Sequence, residues 1–491
     1  MIPQLELYMQ DLLTWRGALG ALYFVLILSV IVVILMENRN PLKAVSWMMI
    51  LVLLPAVGLV LYVLLGRDNR RKRLMSKHSY ERIIEGATPE IPKENSTNGN
   101  LPGEYLPVSS LIRLQTGIPV MEADSIVPYL SGREKFEALK RDILAARDHI
   151  HLEYYILSDD ELGGEIASLL IRKAQERVRV RVIYDYVGSW ETSQSFMRKL
   201  RKCGVEVYPF LPVIFPFLTS KVNYRNHRKV VVIDGHIGYV GGMNISDKYV
   251  VGDELGIWRD THVRITGPAV NQLQSSFIAD WYVASRRILP HKLYYNAELE
   301  AAVSHDAHRE IPMQIFQTGP TGPWRTLMQV LCLAIYNAEE SLWIQTPYFL
   351  PNEPLNKAII GAALRGIDVR IILPEKSDTF GVKYASSSYI GDLLEAGVSV
   401  YSYKGGFLHA KVLTIDGTMT MLGSANMDFR SLEHNFEINC CVYDSEFTRR
   451  INTGMEKDFD ECELLVLRRW RKRPFFRRLW ESVMRLFSPL L

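Results

Sequence analysis

Two eight-residue stretches decide the fold of this 491-residue chain: HRKVVVID at 227–234 and HAKVLTID at 409–416. Each has the pattern His-x-Lys-x4-Asp, and each is followed by a short glycine-to-asparagine segment, GGMN at 241–244 and GSAN at 423–426. The His, Lys, Asp, first Gly and Asn all recur at a constant offset of 182 residues. One such motif is expected about 0.03 times in a chain of this length at average residue usage, so the pair indicates an internal duplication.

The sequence around each motif alternates between strand-like and helix-like patterns. This alternation predicts an α/β protein with two similar halves, 108–300 and 301–466, each a mixed β-sheet flanked by helices. A cleft shared by the two halves is then the natural place for a site that draws on both. The predicted strands are 149–157, 178–184, 342–350 and 369–373, and the predicted helices are 135–147, 164–176 and 355–365.

Each motif has the alternation of a strand, so its His and Lys, two residues apart, project to the same face. Two such strands bring two imidazoles, two ammonium groups and the amides of Asn244 and Asn426 around one pocket. Lysines and amides can hold the equatorial oxygens of a phosphodiester without a metal, which makes the asparagines candidate phosphate ligands. The candidate catalytic residues are His227, Lys229, Asp234, His409, Lys411 and Asp416.

Two histidines in one pocket suit a two-step phosphoryl transfer. One attacks phosphorus and becomes a phosphohistidine, while the other protonates the departing alcohol and then deprotonates the incoming one. A nucleophilic imidazole needs its second nitrogen held, and Asp260 and Glu437, which lie beyond the two motifs, are the carboxylates predicted to hold it. A structural role suits Asp234 and Asp416 better.

Other chemistries fit the sequence less well. A Lys beside each motif His repels a cation and no third ligand recurs at metal spacing, so we expect no metal site. The chain has no G-x-x-x-x-G-K-[ST] stretch and a net charge of only +3, and we expect no cofactor and no nucleic-acid partner. Five cysteines without paired spacing favour a reducing, cytosol-facing body over a disulfide framework.

The N-terminus is predicted to enter a membrane. Residues 17–36 and 44–65 carry no charge and are each long enough to span a bilayer, so residues 1–66 are predicted to form a transmembrane hairpin. A basic juxtamembrane segment and linker follow at 67–107, and its positive charge places the catalytic body in the cytoplasm. A cleaved signal peptide and a pair of buried core helices are the alternatives.

The C-terminus, 467–491, is predicted to be a basic amphipathic helix. Its apolar residues Phe476, Leu479, Trp480, Val483 and Phe487 share one face, and arginines precede it and occupy the other face. This composition favours contact with an anionic lipid surface, with a helix packed on the body as the alternative.

The two H-x-K-x4-D-x6-G-[GS]-x-N signatures resemble those of the phospholipase D superfamily. Over nearly the whole chain the sequence also resembles bacterial cardiolipin synthases, on the segments HLEYY at 151–155, QTPYF at 345–349, NMDFRS at 426–431 and LFSPLL at 486–491. The resemblance implies one duplicated α/β fold with the site at a pseudo-twofold interface.

The same resemblance implies a function and a location. The implied reaction moves a phosphatidyl group from one phosphatidylglycerol to another and releases glycerol, with His227 as nucleophile and His409 as acid and base. Phosphatidylglycerol and anionic membrane lipid are the implied partners, and the bacterial inner membrane, crossed more than once, is the implied location. The motifs are shared by hydrolytic phospholipases and other phosphatidyltransferases, and a catalytically silent membrane scaffold is the alternative from another class.

Overall fold

The structure is a computed structural model that describes residues 2–36, 41–62, 101–213, 224–289, 294, 310–320 and 324–489. The chain divides into two compact units, one formed by Met1–Asn69 with Val213–Val222 and the other by the remaining residues. The basic run at 67–77, most of the predicted linker and the last two residues lie outside the described part.

Among its described residues, the first unit contains three helices, α1 Ile2–Met36, α2 Pro41–Leu53 and α3 Pro55–Leu61. Within the described residues, one segment, Gly17–Met36, is long and apolar enough to cross a membrane. The predicted second span, 44–65, is not one continuous helix. It breaks at Leu54 because Pro55 has no N–H and its ring clashes with the carbonyl four residues earlier.

The break turns α3 back against α2. A side chain at Gly58 would come within 2.7 Å of the Ile50 carbonyl oxygen, so only glycine allows this approach. Inside this unit, Ile34 of α1 and Leu51 of α2 are fully buried together with Tyr62. A two-helix transmembrane hairpin is therefore not evident, although α1 and α2 do contact each other.

The second unit contains twelve helices among its described residues, and they cover two mixed sheets. Their bounds are α4 Leu106–Thr116, α5 Gly132–Ala145, α6 Glu161–Gln175, α7 Gln194–Lys202, α8 Val270–Ser285, α9 Thr326–Tyr336, α10 Glu353–Leu364, α11 Val382–Glu395, α12 Phe429–Glu433, α13 Ser445–Asp460, α14 Leu467–Arg471 and α15 Phe475–Leu486.

The first sheet has seven strands in the order β2-β9-β7-β6-β3-β4-β5, and the β3–β4 and β4–β5 pairs are parallel. The other neighbouring pairs are antiparallel. The strands are β2 Ser125–Tyr129, β3 His149–Tyr154, β4 Arg179–Asp185, β5 Glu206–Phe210, β6 Lys229–Ile233, β7 Ile237–Gly241 and β9 His262–Thr266.

The second sheet has nine strands in the order β1-β10-β19-β17-β16-β11-β13-β14-β20. Its seven inner strands repeat the order of the first sheet, with β16 in the place of β6, which confirms the duplicated α/β fold. The strands are β1 Met121–Ala123, β10 Ile311–Thr318, β11 Ser341–Gln345, β13 Asp368–Pro374, β14 Ser399–Tyr403, β16 Val412–Ile415, β17 Met419–Gly423, β19 Glu437–Val442 and β20 Cys462–Leu464.

The two sheets pack face to face through a shared core. In the first motif strand, Val230 and Val232 enter this core, whereas Val231 and Ile233 pack under the helices of their own half. Val412 of the second motif strand joins the same shared core. Side chains alternate along a strand, so these two pairs of residues lie on opposite faces of β6. Both faces are buried, which explains the unbroken run of branched apolar residues in this strand.

The segment 101–123 joins the second half, whereas the sequence prediction placed residues from 108 onward in the first. Val108 and Ile112 of α4 pack in the core of the second half, and β1 pairs with β10 through Met121 and Met313. The pairing with β1 covers an otherwise exposed edge of β10.

Asp234 and Asp416 end the two motifs in tight turns, where their φ angles are 52° and 51°. The Asp234 carboxylate accepts hydrogen bonds of 2.8–2.9 Å from three successive backbone N–H groups, those of residues 147–149. Asp416 does the same for residues 339–341, at 2.7–2.9 Å. Each aspartate therefore anchors the start of a neighbouring strand, about 20 Å along the chain from its motif histidine.

Replacing Asp416 by Ala is expected to lower the free energy of unfolding by about 1–3 kcal/mol, because three backbone N–H groups at the start of β11 lose their charged acceptor. The midpoint of thermal unfolding in detergent should fall, while activity per folded molecule stays near that of the unmodified chain. Asp460→Ala, at an exposed helix end, is the control. Lost activity with unchanged unfolding would place Asp416 in the chemistry instead.

Candidate active site

The two motif histidines sit where the halves meet, because each motif strand forms backbone hydrogen bonds with the opposite half. The N–H of His227 donates to the carbonyl of Phe436 at 2.9 Å, and the N–H of His409 donates to the carbonyl of Arg259 at 2.7 Å. A two-residue ladder between β8 Trp258–Arg259 and β15 Phe407–Leu408 extends the second contact. Both histidines are buried.

Each histidine is held by a carboxylate from the other half. Nδ1 of His227 lies 3.0 and 3.1 Å from the two carboxylate oxygens of Glu437. Nδ1 of His409 lies 2.6 Å from Oδ2 of Asp260. The sequence analysis predicted both carboxylates but not that each would come from the opposite half. Because of this exchange, neither half alone contains a complete histidine–carboxylate pair.

Glu437 is fixed by further hydrogen bonds. The Ser424 hydroxyl donates to Oε2, and the Asn435 amide donates to Oε1 at 3.2 Å. Burial raises the pKa of Glu437, but His227, Lys229 and the Ser424 hydroxyl outweigh it and lower the pKa to about 2. Glu437 is therefore ionised at neutral pH and accepts the N–H of His227.

Asp260 plays the corresponding part for His409. Its Oδ1 accepts the N–H of Thr261 at 2.6 Å, and Nζ of Lys411 lies 3.7 Å from Oδ2. Burial raises the pKa of Asp260, and the nearby charges of Lys411 and His409 reverse that effect, so the pKa lies below its usual value. Nζ of Lys411 also lies 2.8 Å from Nδ1 of His409, but Asp260 Oδ2 is nearer, at 2.6 Å. We assign the ring proton to this nitrogen, with Asp260 as its acceptor, because that tautomer matches the His227–Glu437 pair.

The lysines of both motifs are buried beside their histidines. Nζ of Lys229 donates to the His227 carbonyl at 2.6 Å, and Nζ of Lys411 donates to the His409 carbonyl. Burial lowers the pKa of Lys411 to about 8 against the opposing charges of Asp260 and Glu437, and it also lowers the pKa of Lys229. An anionic phosphodiester in the pocket would stabilise both ammonium groups.

The two asparagines lie in the same buried region and are held in place by protein partners. Asn244 accepts the N–H of Ile156 at 3.2 Å and donates to the Tyr249 hydroxyl at 3.1 Å. Asn426 donates to Asp428 at 3.2 Å. One amide hydrogen of each asparagine is thus donated to a protein acceptor.

Burial lowers the pKa of both histidines. The pKa of His227 falls to about 4, with Glu437 opposing the effect of burial and Lys229 adding to it. The pKa of His409 falls to about 3 through burial and the charge of Lys411, against Asp260. Both rings are therefore neutral at pH 7 and, with Nδ1–H donated to a carboxylate, present an unprotonated Nε2.

The two histidines have different aromatic surroundings, which the sequence analysis missed. The His409 ring lies among four aromatic rings, with centroid distances of 5.0–6.4 Å. The His227 ring meets the edge of Tyr155 at 4.8 Å. The residues around His409 are Tyr249, Trp258, Tyr348 and Phe407.

Two buried arginines behind the site were also missed. Arg228 pairs with Asp280 of α8, and Arg259 forms a bidentate pair with Asp458 of α13 at 3.0 and 2.6 Å. The internal repeat does not point to these arginines, because the residue equivalent to Arg228 in the second motif is Ala410. Arg228 directly follows His227, and Arg259 directly precedes Asp260. Each arginine connects a segment that contacts the opposite half to a helix.

Comparisons with known proteins identify the family. A model described as "Cardiolipin synthase, PLD-like domain" matches residues 139–281 and 331–459, and one described as "Phospholipase_D-nuclease N-terminal" matches residues 22–67. A cardiolipin synthase of Geobacillus sp. (strain WCH70) is 39% identical over 97% of this chain and 95% of that protein. The chain belongs to the cardiolipin synthases of the phospholipase D type. It is a phosphatidyltransferase.

A second curated relative agrees with this membership, and a solved structure shares the fold. The major cardiolipin synthase ClsA of Bacillus subtilis (strain 168) is 38% identical over 96% of this chain and 98% of that protein. The crystal structure of a phosphatidylserine synthase from Haemophilus influenzae Rd KW20 covers 78% of this cardiolipin synthase and 98% of its own chain, with a TM-score of 0.60 at 16% identity. At that identity the likeness concerns the fold alone.

The buried histidines make stability depend on pH. Their folded-state pKa values, about 4 and 3, lie below the ordinary value of 6.5, so the unfolded chain takes up protons first as pH falls. Their contribution is complete above about pH 6.5 and is lost as pH falls toward 3–4. The unfolding midpoint of the double variant His227→Asn, His409→Asn should therefore fall less between pH 6.5 and 4 than that of the unmodified enzyme.

Glu437 acts in the same direction at lower pH, since its pKa falls from 4.5 to about 2. The control is His236→Asn, at a partly exposed histidine in the β6–β7 turn, which should leave the pH profile unchanged. Identical profiles for the double variant and the unmodified enzyme would contradict the depressed pKa values.

Proposed function

We propose that this cardiolipin synthase transfers a phosphatidyl group from one phosphatidylglycerol to the hydroxyl of another through a phosphohistidine at His227. The proposal rests on the two histidine–carboxylate pairs, in which each carboxylate comes from the opposite half. They give one pocket two neutral imidazoles, one that can attack phosphorus and one that can exchange a proton with the alcohol. The buried lysines and the remaining amide hydrogens of the asparagines supply the donors that a phosphodiester requires.

In the first step, Nε2 of His227 attacks phosphorus and a P–N bond forms as the P–O bond to the glycerol headgroup breaks. Glu437 stabilises the positive charge that develops on the imidazole. His409, protonated once the anionic substrate has raised its pKa, gives its proton to the departing glycerol oxygen. Lys229 and Lys411 balance charge on the phosphoryl oxygens.

In the second step, glycerol leaves and the hydroxyl of another phosphatidylglycerol takes its place. Nε2 of His409 removes the hydroxyl proton while the oxygen attacks phosphorus, and the P–N bond to His227 breaks. His409 ends protonated, as it began. One phosphodiester replaces another, so the reaction needs no nucleotide.

We also propose that residues 1–66 form a membrane hairpin of the bacterial inner membrane, with the catalytic unit in the cytoplasm. The apolar segment Gly17–Met36 and the burial of Ile34 and Leu51 between α1 and α2 support it. Pro55 then interrupts the second leg of the hairpin. The basic residues between 67 and 77 favour the cytoplasmic side for the chain that follows.

The product test uses purified full-length enzyme in mixed micelles with phosphatidylglycerol alone. We expect cardiolipin and glycerol in equal amounts by mass spectrometry, because one glycerol leaves for each bond made. His227→Asn and His409→Asn should each reduce the rate by at least about 10³-fold, since each removes one of the two acid–base or nucleophilic groups. Phosphatidic acid without cardiolipin would instead indicate hydrolysis.

The assignment of the nucleophile is tested by trapping. The donor for this test is a phosphatidyl ester of p-nitrophenol, whose leaving group departs without an acid. In His409→Asn the attacking alcohol still lacks a base, so a phosphatidyl adduct should accumulate on His227 and be found by intact mass and peptide mapping. Because P–N bonds are acid-labile, the adduct should disappear at low pH. An adduct on His409 in the His227→Asn variant, with none in His409→Asn, would reverse the two roles.

A further inference from the structure

The C-terminal helix α15 has three faces. At about 100° per residue, its exposed apolar side chains cover an arc of about 140°. A second arc packs on the protein, and a third carries exposed polar residues. The exposed apolar residues are Phe475, Phe476, Leu479, Trp480, Leu486 and Phe487.

The second face fixes α15 to the body of the second half. Glu481 is buried on this face and accepts hydrogen bonds from Arg473 at 2.7 and 2.8 Å and from Arg477 at 3.2 Å, which connect residues of α15 to one another and to the turn before it, and not to the body. Met484 joins the core of the second half, and the guanidinium of Arg485 lies 4.3 Å from the ring centre of Tyr389 on α11. Met484 and Arg485 thus hold the helix on the second half in one orientation. In that orientation its apolar arc is exposed.

The charge of this region is strongly positive. Residues 467–489 contain a single acidic residue, the buried Glu481, whereas most of the basic residues are exposed. Phe476 is 81% exposed, which is unusual for a phenylalanine beside a well-packed core. The basic residues are Arg468, Arg469, Arg471, Lys472, Arg473, Arg477, Arg478 and Arg485.

We propose that α14 and α15 form a second membrane contact, which seats the catalytic unit on the surface of an anionic bilayer. The apolar arc would enter the acyl boundary while the arginines meet lipid phosphates. This inference rests on the proposed function, in which the substrate is itself the anionic lipid phosphatidylglycerol. A protein partner explains the apolar arc but not the arginines around it.

Side-chain contacts connect this surface to the active site. Tyr389, which meets Arg485, also lies edge-on to Phe349 at 6.3 Å. Phe349 belongs to β12 Phe349–Leu350, which pairs with β18 Met427–Asp428, directly after Asn426. A bilayer held against α15 is therefore at a fixed distance from the phosphate-binding side of the pocket.

The test replaces Phe476 by the photoreactive residue p-benzoylphenylalanine in the full-length enzyme. Leu364 on α10, 71% exposed, receives the same replacement as the control. After reconstitution in vesicles of phosphatidylglycerol and phosphatidylcholine and irradiation, lipid adducts are counted by mass. We expect at least about a fivefold higher yield at position 476.

The charge contribution is tested in the same vesicles. Arg468, Lys472 and Arg478 are exposed, and replacing all three by Gln should lower the adduct yield at position 476 at least about threefold. The yield should also fall when phosphatidylglycerol is diluted by phosphatidylcholine.

Equal yields at positions 476 and 364 would overturn the proposal, as would cross-links from position 476 to protein instead of lipid. The readout does not depend on turnover, so it separates this proposal from the proposed function. A normal adduct yield without cardiolipin formation would contradict only the reaction. Cardiolipin formation in detergent micelles without preferential adducts would contradict only the membrane contact.

Discussion

The structure depends on the exchange of carboxylates between the two halves. Two lysines, two carboxylates and two histidines are buried in one place, and an unpaired ion there would cost several kcal/mol. Glu437 meets His227, and Asp260 meets both His409 and Lys411, so the charges balance only when both halves are present. The same crossing aligns the two motif strands, because His227 and His409 also donate backbone hydrogen bonds to the opposite half. Folding of the interface and assembly of the site are therefore one event.

Duplication accounts for the symmetric parts of the site and leaves room for asymmetry around them. The backbone φ angles at Asp234 and Asp416 are nearly identical. The two carboxylates accept hydrogen bonds from equivalent segments, residues 147–149 at the start of β3 and residues 339–341 at the start of β11. The arginines behind the site are not related in this way. Arg228 and Arg259 occupy non-equivalent positions. Arg228 reaches Asp280 on a helix of its own half, whereas Arg259 reaches Asp458 on a helix of the opposite half. In both cases an arginine connects a segment that contacts the opposite half to a nearby helix. The two arginines need not be related by the duplication to do this.

The sequence was sufficient for the parts of the fold that repeat. A constant offset identified the two motif strands, and alternation predicted that the halves are α/β. Both histidines were expected within these strands but lie just before them, since the strands are β6 Lys229–Ile233 and β16 Val412–Ile415. The sequence could not reveal pairings that exist only after the halves meet, such as that of Arg259 with Asp458, 199 residues away. The assignment of residues 108–123 to the first half was wrong, because these residues precede the first half directly in sequence and pack on the second. Neither the helix α4 nor the three-residue strand β1 carries a sequence pattern that identifies its partner. The break at Pro55 was readable, but the apolar character of the predicted span outweighed it.

The surroundings of His409 and the proposed reaction make opposite demands on its imidazole. Burial and the charge of Lys411 lower its pKa and keep it neutral, whereas the proposed first step needs it protonated. In the proposed mechanism a phosphodiester anion between Lys229 and Lys411 would resolve the conflict, since it would offset the charges that lowered the pKa of His409 and favour the imidazolium. His227 has Glu437, bound by Ser424 and Asn435, on its Nδ1, and as the proposed attacking group it needs Nε2 free. On this proposal the substrate supplies the charge that prepares the acid, and an uncharged ester of similar shape would leave His409 unprotonated.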